Sequence, residues 1–325
     1  MLRNHRWTQL LLILIALMVL VGTHGVTATL AQDGTDGATP ASAVSLQPSV
    51  EWLISQQEDD GSFVGFEGTS DAGITADAIV ALAAARQAGA ETGTSIEDAV
   101  SFLESGEVAM IYIQNGVGPA ARFLLGLAAA GENVDDFADV SPLAIVENSQ
   151  DPDTGLYGDS IYVHALSLMA LDAAEVEIPA SAIEALEAAQ AENGGWGFEG
   201  LTDPDAVDSN TTSVVIQALD VIEGDDPQLV TDGFAYLATT VDDDGAATFD
   251  AAEDSVPDAN STALVAQALI AVDANADAQL AALSEFQNET GAFFFNSDDT
   301  SDNLFATVQA IPALAGAALP FIPAA

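Results

Sequence analysis

The sequence has no cysteine and no lysine, and only four arginines, Arg3, Arg6, Arg86 and Arg122, against 51 acidic side chains. Without cysteine there is no disulfide framework, no thiolate metal site and no cysteine nucleophile. So few bases argue against a nucleic-acid partner, whose phosphates must be neutralised by lysine and arginine. No Gly-x-Ser-x-Gly or phosphate-loop pattern is present either. What the chain does have is apolar mass. At 49% hydrophobic residues it is no acidic disordered tail, despite a net charge of −47. Its 325 residues suit one large domain or two ordinary ones.

The first residues read as a targeting segment. A short basic stretch ending at Arg6 precedes an apolar run from Leu10 to Gly22, and Thr29-Leu30-Ala31 fits a small-x-small cleavage site before Gln32. Thirteen apolar residues fall short of the roughly 20 needed to cross a bilayer. The expected divisions are a signal peptide over 1–31, a linker over 32–45, a body over 46–316 and a tail over 317–325. The chain is therefore expected to be secreted or extracytoplasmic, with membrane contact only through an uncleaved leader. Cleavage would remove Arg3, Arg6 and no acid, taking the net charge from −47 to −49.

Internal repetition organises the body. Leu53-x-x-x-Gln57-x-x-x-Gly61-x-Phe63 recurs as Leu186-x-x-x-Gln190-x-x-x-Gly194-x-Trp196 and as Leu283-x-x-x-Gln287-x-x-x-Gly291-x-Phe293. Weaker copies join Val146, Gln150, Gly155 and Tyr157, and Leu237 with Gly245 and Phe249; one around Phe102-Leu103 lacks the glycine-aromatic ending. A second, more apolar helix follows each turn. Its anchors Leu82, Leu127, Leu171, Leu219, Leu269 and Ile311 are 45, 44, 48, 50 and 42 residues apart. Asp or Ser before these helices is suited to cap their free N–H groups. Helices that are apolar all round are buried, and half-polar ones lie outside. Six such pairs predict an all-α protein of twelve helices in two concentric layers.

These Gln-x-x-x-Gly-x-aromatic repeats resemble those of squalene-hopene cyclases and related terpene cyclases, whose α/α toroid is shared by protein prenyltransferase β subunits and cobalamin carriers of the intrinsic-factor type. The resemblance spans about residues 46–316 and implies an (α/α)6 toroid, a closed ring with a central cavity near the inner-helix N-termini. It also implies where chemistry should reside. The cyclases protonate an alkene from the middle Asp of an Asp-x-Asp-Asp-Thr-Ala motif. The matching segment here is Asp258-Ala259-Asn260-Ser261-Thr262-Ala263, with an amide, Asn260, at the acid's place. Asp208-Ser209-Asn210 shows the same loss. The prenyltransferase zinc site needs a cysteine that this chain does not contain.

Six residues are the cavity candidates: Asp77, Arg122, Tyr162, His164, Asn210 and Asn260. His164 aligns with Thr212 and Thr262 and reads either as a base or as a buried structural histidine. Arg122 reads as a carboxylate's partner or as the one anion-binding group. Asn210 and Asn260 read as mouth residues or as helix caps. Gln217, Gln267 and Gln309 recur one residue before the Ala-Leu or Ala-Ile pairs that carry the anchors and read as structural hydrogen bonders. Loops at Asp151-Pro152-Asp153, Asp242–Asp244 and Asp298-Asp299 are conceivable Ca²⁺ sites, but none has the twelve-residue loop pattern, and no resident cofactor is expected. The expected function is binding of a small apolar or amphipathic ligand or a protein partner; the alternative is a cyclase- or prenyltransferase-like enzyme using residues such as Asp77, Tyr162 or His164.

Crowded carboxylates are expected to make stability rise with salt and as pH falls toward roughly 4–5. Hydrogen-bonded caps such as Asp208 and Asp258 are expected to act the other way.

Overall fold

The structure, a computed structural model, describes residues 46–105, 107–133, 141–222 and 226–324. The leader and linker expected over 1–45 lie outside these. Among the described residues no helix is long and apolar enough to cross a membrane.

Among the described residues, thirteen α-helices account for almost all the regular structure. Six form an inner layer: α2 (Ala72–Gln87), α5 (Val117–Ala130), α7 (Ile161–Ala173), α9 (Ser209–Val221), α11 (Ala259–Ala271) and α13 (Leu304–Leu314). Six form an outer layer: α1 (Leu46–Ser55), α3 (Ser95–Ser105), α6 (Pro142–Glu147), α8 (Ala180–Ala189), α10 (Pro227–Thr240) and α12 (Asp277–Ser284). The thirteenth, α4 (Glu107–Gln114), exceeds the expected twelve and replaces the turn in the repeat that lacks the glycine-aromatic ending. A two-residue hairpin, β1 (Phe63–Val64) with β2 (Ser70–Asp71), leads into α2.

The layers follow from side-chain distribution. In α2, 13 of 16 residues are buried, so it has no polar face to give to water. In α3 burial is confined to Ser95, Ile96, Ala99, Val100, Phe102 and Leu103, one stripe at helical spacing. Each inner helix packs on the next, and α13 packs back on α2, so the ring closes. Closure decides between a toroid and an open solenoid.

The repeated motif explains why neighbours lock. Gln57 Nε2 donates to the carbonyl of Gly61 (2.9 Å) in its own turn and to that of Ser95 (2.9 Å) on the next outer helix. Gln190 does the same with Gly194 (2.9 Å) and Leu229 (3.0 Å). Gln287 bonds Ser49 Oγ (2.7 Å) on α1, joining the last repeat to the first. Gly194 has φ +90°, and a Cβ there would sit 2.2 Å from the Asp232 carbonyl oxygen; at Gly291 (φ +92°) it would sit 2.3 Å from that of Pro48. Glycine thus permits both the left-handed turn and the approach of the next outer helix.

The aromatic after the glycine is buried, as Phe63, Tyr157, Trp196 and Phe293. Its backbone N–H is held by the fourth residue of the inner helix: Thr75 for Phe63 (3.0 Å), Thr212 for Trp196 (2.9 Å) and Thr307 for Phe293 (2.8 Å). In the fifth repeat this slot belongs to Ala247, bonded to Thr262 (2.9 Å), and not to Phe249, which is exposed. The slot is set by distance from Gly245, so a later aromatic cannot fill it.

Asp71, Ser160, Asp208, Asp258 and Asn303 cap the inner helices. The expected acid sensitivity of two caps is reversed. Burial pushes the Asp208 and Asp258 carboxyls above their usual range, outweighing the N–H and hydroxyl donors that stabilise the anions.

Candidate functional site: the lumen of the ring

All six inner helices contribute to a central cavity of about 70 Å³. Its wall is apolar at Val80, Leu125, Leu166, Val214, Leu264 and Val308, and polar at Asp77, Arg122, Tyr162, Gln267 and Gln309. Leu319 closes on it from the C-terminal tail, held by its N–H on Gln217 Oε1 (2.9 Å). The tail continues through buried Phe321 to Ala324, whose N–H meets Gln87 Oε1 (2.7 Å).

Asp77 and Arg122 are 45 residues apart, one repeat, and so stand on adjacent inner helices. The Arg122 Nε–Asp77 Oδ1 distance is 2.6 Å, and Nη2 bonds Oδ2, giving a bidentate pair. Both side chains lie deep in the protein yet keep 39% and 23% of their surface, Arg122 and Asp77 respectively, open to the lumen. Burial pushes the Asp77 carboxyl up, against the pull of Arg122. Burial also works against the Arg122 charge, but Asp77 overcomes it and holds Arg122 above the usual arginine range. Tyr162 is raised by burial, and Tyr112 is pushed up to about 12 for the same reason. Tyr112 comes from α4, its hydroxyl lying where a Cβ on Gly73 would come within 2.6 Å. Its position was not legible, because α4 interrupts the repeat.

Asn260 stands beside the lumen wall. Its Nδ2 donates to Gln309 Oε1 at 2.5 Å, while its Oδ1 is buried without a partner. Gln267 donates to the Gln309 carbonyl (2.9 Å), so these glutamines brace α11 against α13. Asn210 occupies the same second position of its helix, outside the cavity lining.

His164 does not join Asp77, Arg122 and Tyr162. It is fully buried; Nδ1 accepts the Tyr157 N–H (3.0 Å) and Nε2 meets the Ala182 carbonyl (2.9 Å). It therefore does in the third repeat what threonine does in four others. Burial lowers its pKa to about 4, so the ring is neutral at pH 7, with the Nε2–H donating to Ala182.

The Asp-rich loops turn their carboxylates on their own backbone. Asp151 Oδ1 accepts from Asp153 and Thr154, and Asp242 Oδ1 from Asp244 and Ala246. Among the described residues no group of three or more His, Cys, Asp or Glu gathers as a metal site would require.

No family model matches the sequence, and no curated protein matches it. Solved structures do. A variant of the type II terpene cyclase MstE from Scytonema, in complex with its substrate geranylgeranyl dihydroxybenzoate, superposes with a TM-score of 0.62 at 15% identity, over 85% of this chain and 97% of that one. An unsaturated glucuronyl hydrolase specific for heparin gives 0.59 at 15% identity, over 83% and 95%. Haptocorrin in complex with Cbi gives 0.51 at 15% identity, over 84% and 66%. These likenesses establish the helical toroid, a fold shared by proteins of unlike activity.

Proposed function

We propose that this chain is an exported, non-catalytic toroid whose work is binding, with a small amphipathic molecule as the ligand of its lumen. The observation that carries the proposal is Asn260. At the place of the cyclase acid stands an amide that has no proton to give and is hydrogen-bonded to Gln309. The lumen supports the same reading. Ligand pockets for drug-sized molecules are roughly 300–1,000 Å³, whereas this cavity is about 70 Å³ with Leu319 across it. A long prenyl chain has no room unless the tail withdraws. A compact ligand with an apolar body and a polar end matches a wall that is aliphatic except around Asp77, Arg122 and Tyr162.

Native mass spectrometry of the purified protein, followed by identification of any released small molecule, tests the proposal. A stoichiometric compact amphiphile, lost in Asp77→Asn/Arg122→Met, which keeps the fold without the charged pair, supports it. Protein that is empty and takes up no such molecule contradicts it.

One observation favours an enzymatic alternative: the Asp77 carboxyl, raised by burial, faces the lumen. Its bidentate bond to Arg122 opposes that role, because the arginine stabilises the anion that proton donation would leave only as an end state. Product formation abolished by Asp77→Asn would establish the alternative.

A further inference from the structure

Four phenylalanines that the repeat does not bury stand at one end of the ring. Phe66 is 87% exposed, Phe198 52%, Phe249 51% and Phe295 39%. Their positions are fixed by the backbone. The first N–H of α7 donates to the Phe198 carbonyl (2.9 Å), that of α9 to Phe249 (2.8 Å) and that of α11 to Phe295 (2.9 Å). Phe66 stacks face to face on Phe305, the second residue of α13, at 3.7 Å and 5°. Phe198 packs more loosely on Tyr162, the second residue of α7, at 6.1 Å and 28°. Each phenylalanine therefore crowns the N-terminus of the inner helix before it, on four consecutive inner helices. The arc continues along the ring to α4, where Met110 and Ile111 are exposed and Tyr112 sits against the second residue of α2.

Acids interleave this arc. Glu67, Glu199 and Asp250 follow Phe66, Phe198 and Phe249 directly in sequence. Arg86 is committed to Glu97 and Arg122 to Asp77, so among the described residues no arginine is left to neutralise the crown. A second copy would bring the same carboxylates, and an anionic membrane would repel them. A partner with both cationic and apolar side chains meets both features: guanidinium planes stack on aromatic faces and pair with carboxylates, while aliphatic side chains cover the exposed rings.

We propose that the crown is a docking surface for a basic, amphipathic segment of a partner polypeptide, lying at the ring's end where Phe198 packs on the lumen residue Tyr162. The test uses the full chain and a labelled peptide of alternating arginine and leucine, read by fluorescence anisotropy. Alternating glutamate and leucine is the control peptide, and zwitterionic lipid vesicles the control surface. The basic peptide is expected to bind. Phe66→Ser/Phe198→Ser/Phe249→Ser is expected to weaken binding at least about tenfold with an unchanged melting temperature. Glu67→Gln/Glu199→Gln/Asp250→Asn is expected to flatten its salt dependence. Glu184→Gln/Glu187→Gln, on the outer helix α8, is expected to leave the affinity as it is. Three outcomes overturn the proposal: no binding, binding insensitive to the phenylalanine variant (attraction to a polyanion in general), or vesicle binding that the same variant abolishes (a membrane-facing surface instead).

Discussion

Replacing His164 by threonine gives the third repeat the residue that four other repeats carry at this position. The substitution keeps an acceptor for the Tyr157 N–H but abandons the Ala182 carbonyl, which the Nε2 meets at 2.9 Å. A buried carbonyl left unpaired costs about 1–3 kcal/mol, and the smaller side chain leaves a void that adds to it. At pH 7 His164→Thr should therefore be the less stable protein by about 2–4 kcal/mol. The gap should not survive acidification. His164 has a folded pKa of about 4 against an ordinary 6.5, so the unfolded chain takes up the proton first as pH falls. Its contribution is whole above pH 6.5 and is lost down to about 4; at 1.36 kcal/mol per unit this approaches about 3 kcal/mol. Threonine does not titrate. Urea melts of both proteins at pH 7.0, 5.5 and 4.0, at matched ionic strength, should show the difference closing toward zero. A gap equal at all three pH values would refute a neutral histidine locked between Tyr157 and Ala182.

Other perturbations have comparably definite outcomes. Gly194→Ala combines a left-handed φ with a Cβ 2.2 Å from the Asp232 oxygen; strain and overpacking together should cost about 2–6 kcal/mol by chemical denaturation. Arg122→Met should destabilise markedly by stranding the Asp77 carboxylate, whereas Asp77→Asn/Arg122→Met should recover most of the loss; equal losses in both would show that the charge pair is not the determinant. Raising salt from about 0.1 to 1 M shortens the screening length from about 10 to 3 Å, and with a net charge of −47 it should raise the melting temperature. Asp208 and Asp258 have folded pKa values raised by burial, so their contribution is fullest below the unfolded value of 3.8 and fades as pH rises through the folded ones. In His164→Thr, where the opposing histidine is gone, stability should thus increase on mild acidification.

The ring was legible because its parts are local. Gln57 and Gly61 are four residues apart and bond within one turn, so their recurrence marks the turn wherever it occurs. The second bond of each glutamine, to Ser95 or Leu229, joins one repeat to the next and has no short-range signature. Phe249 differs for a similar reason: position relative to Gly245, and not the presence of an aromatic, decides which residue fills the slot. The register of His164 with Thr212 and Thr262 was visible, but its role depended on where the Tyr157 N–H points. Asp77 and Arg122 were each visible as polar residues on apolar helices, and only the closed ring brings them into one ion pair. Nothing in an apolar tail of a few residues foretold that Leu319 would close on the lumen.

The most direct trial of binding without catalysis is prolonged incubation of the full chain with squalene and geranylgeranyl substrates, with every product resolved by mass spectrometry. With an amide at Asn260 and a lumen of about 70 Å³, the expected result is unchanged substrate at all times. A cyclised product that forms with the native chain and disappears with Asp77→Asn would contradict it and make Asp77 the acid of an enzyme.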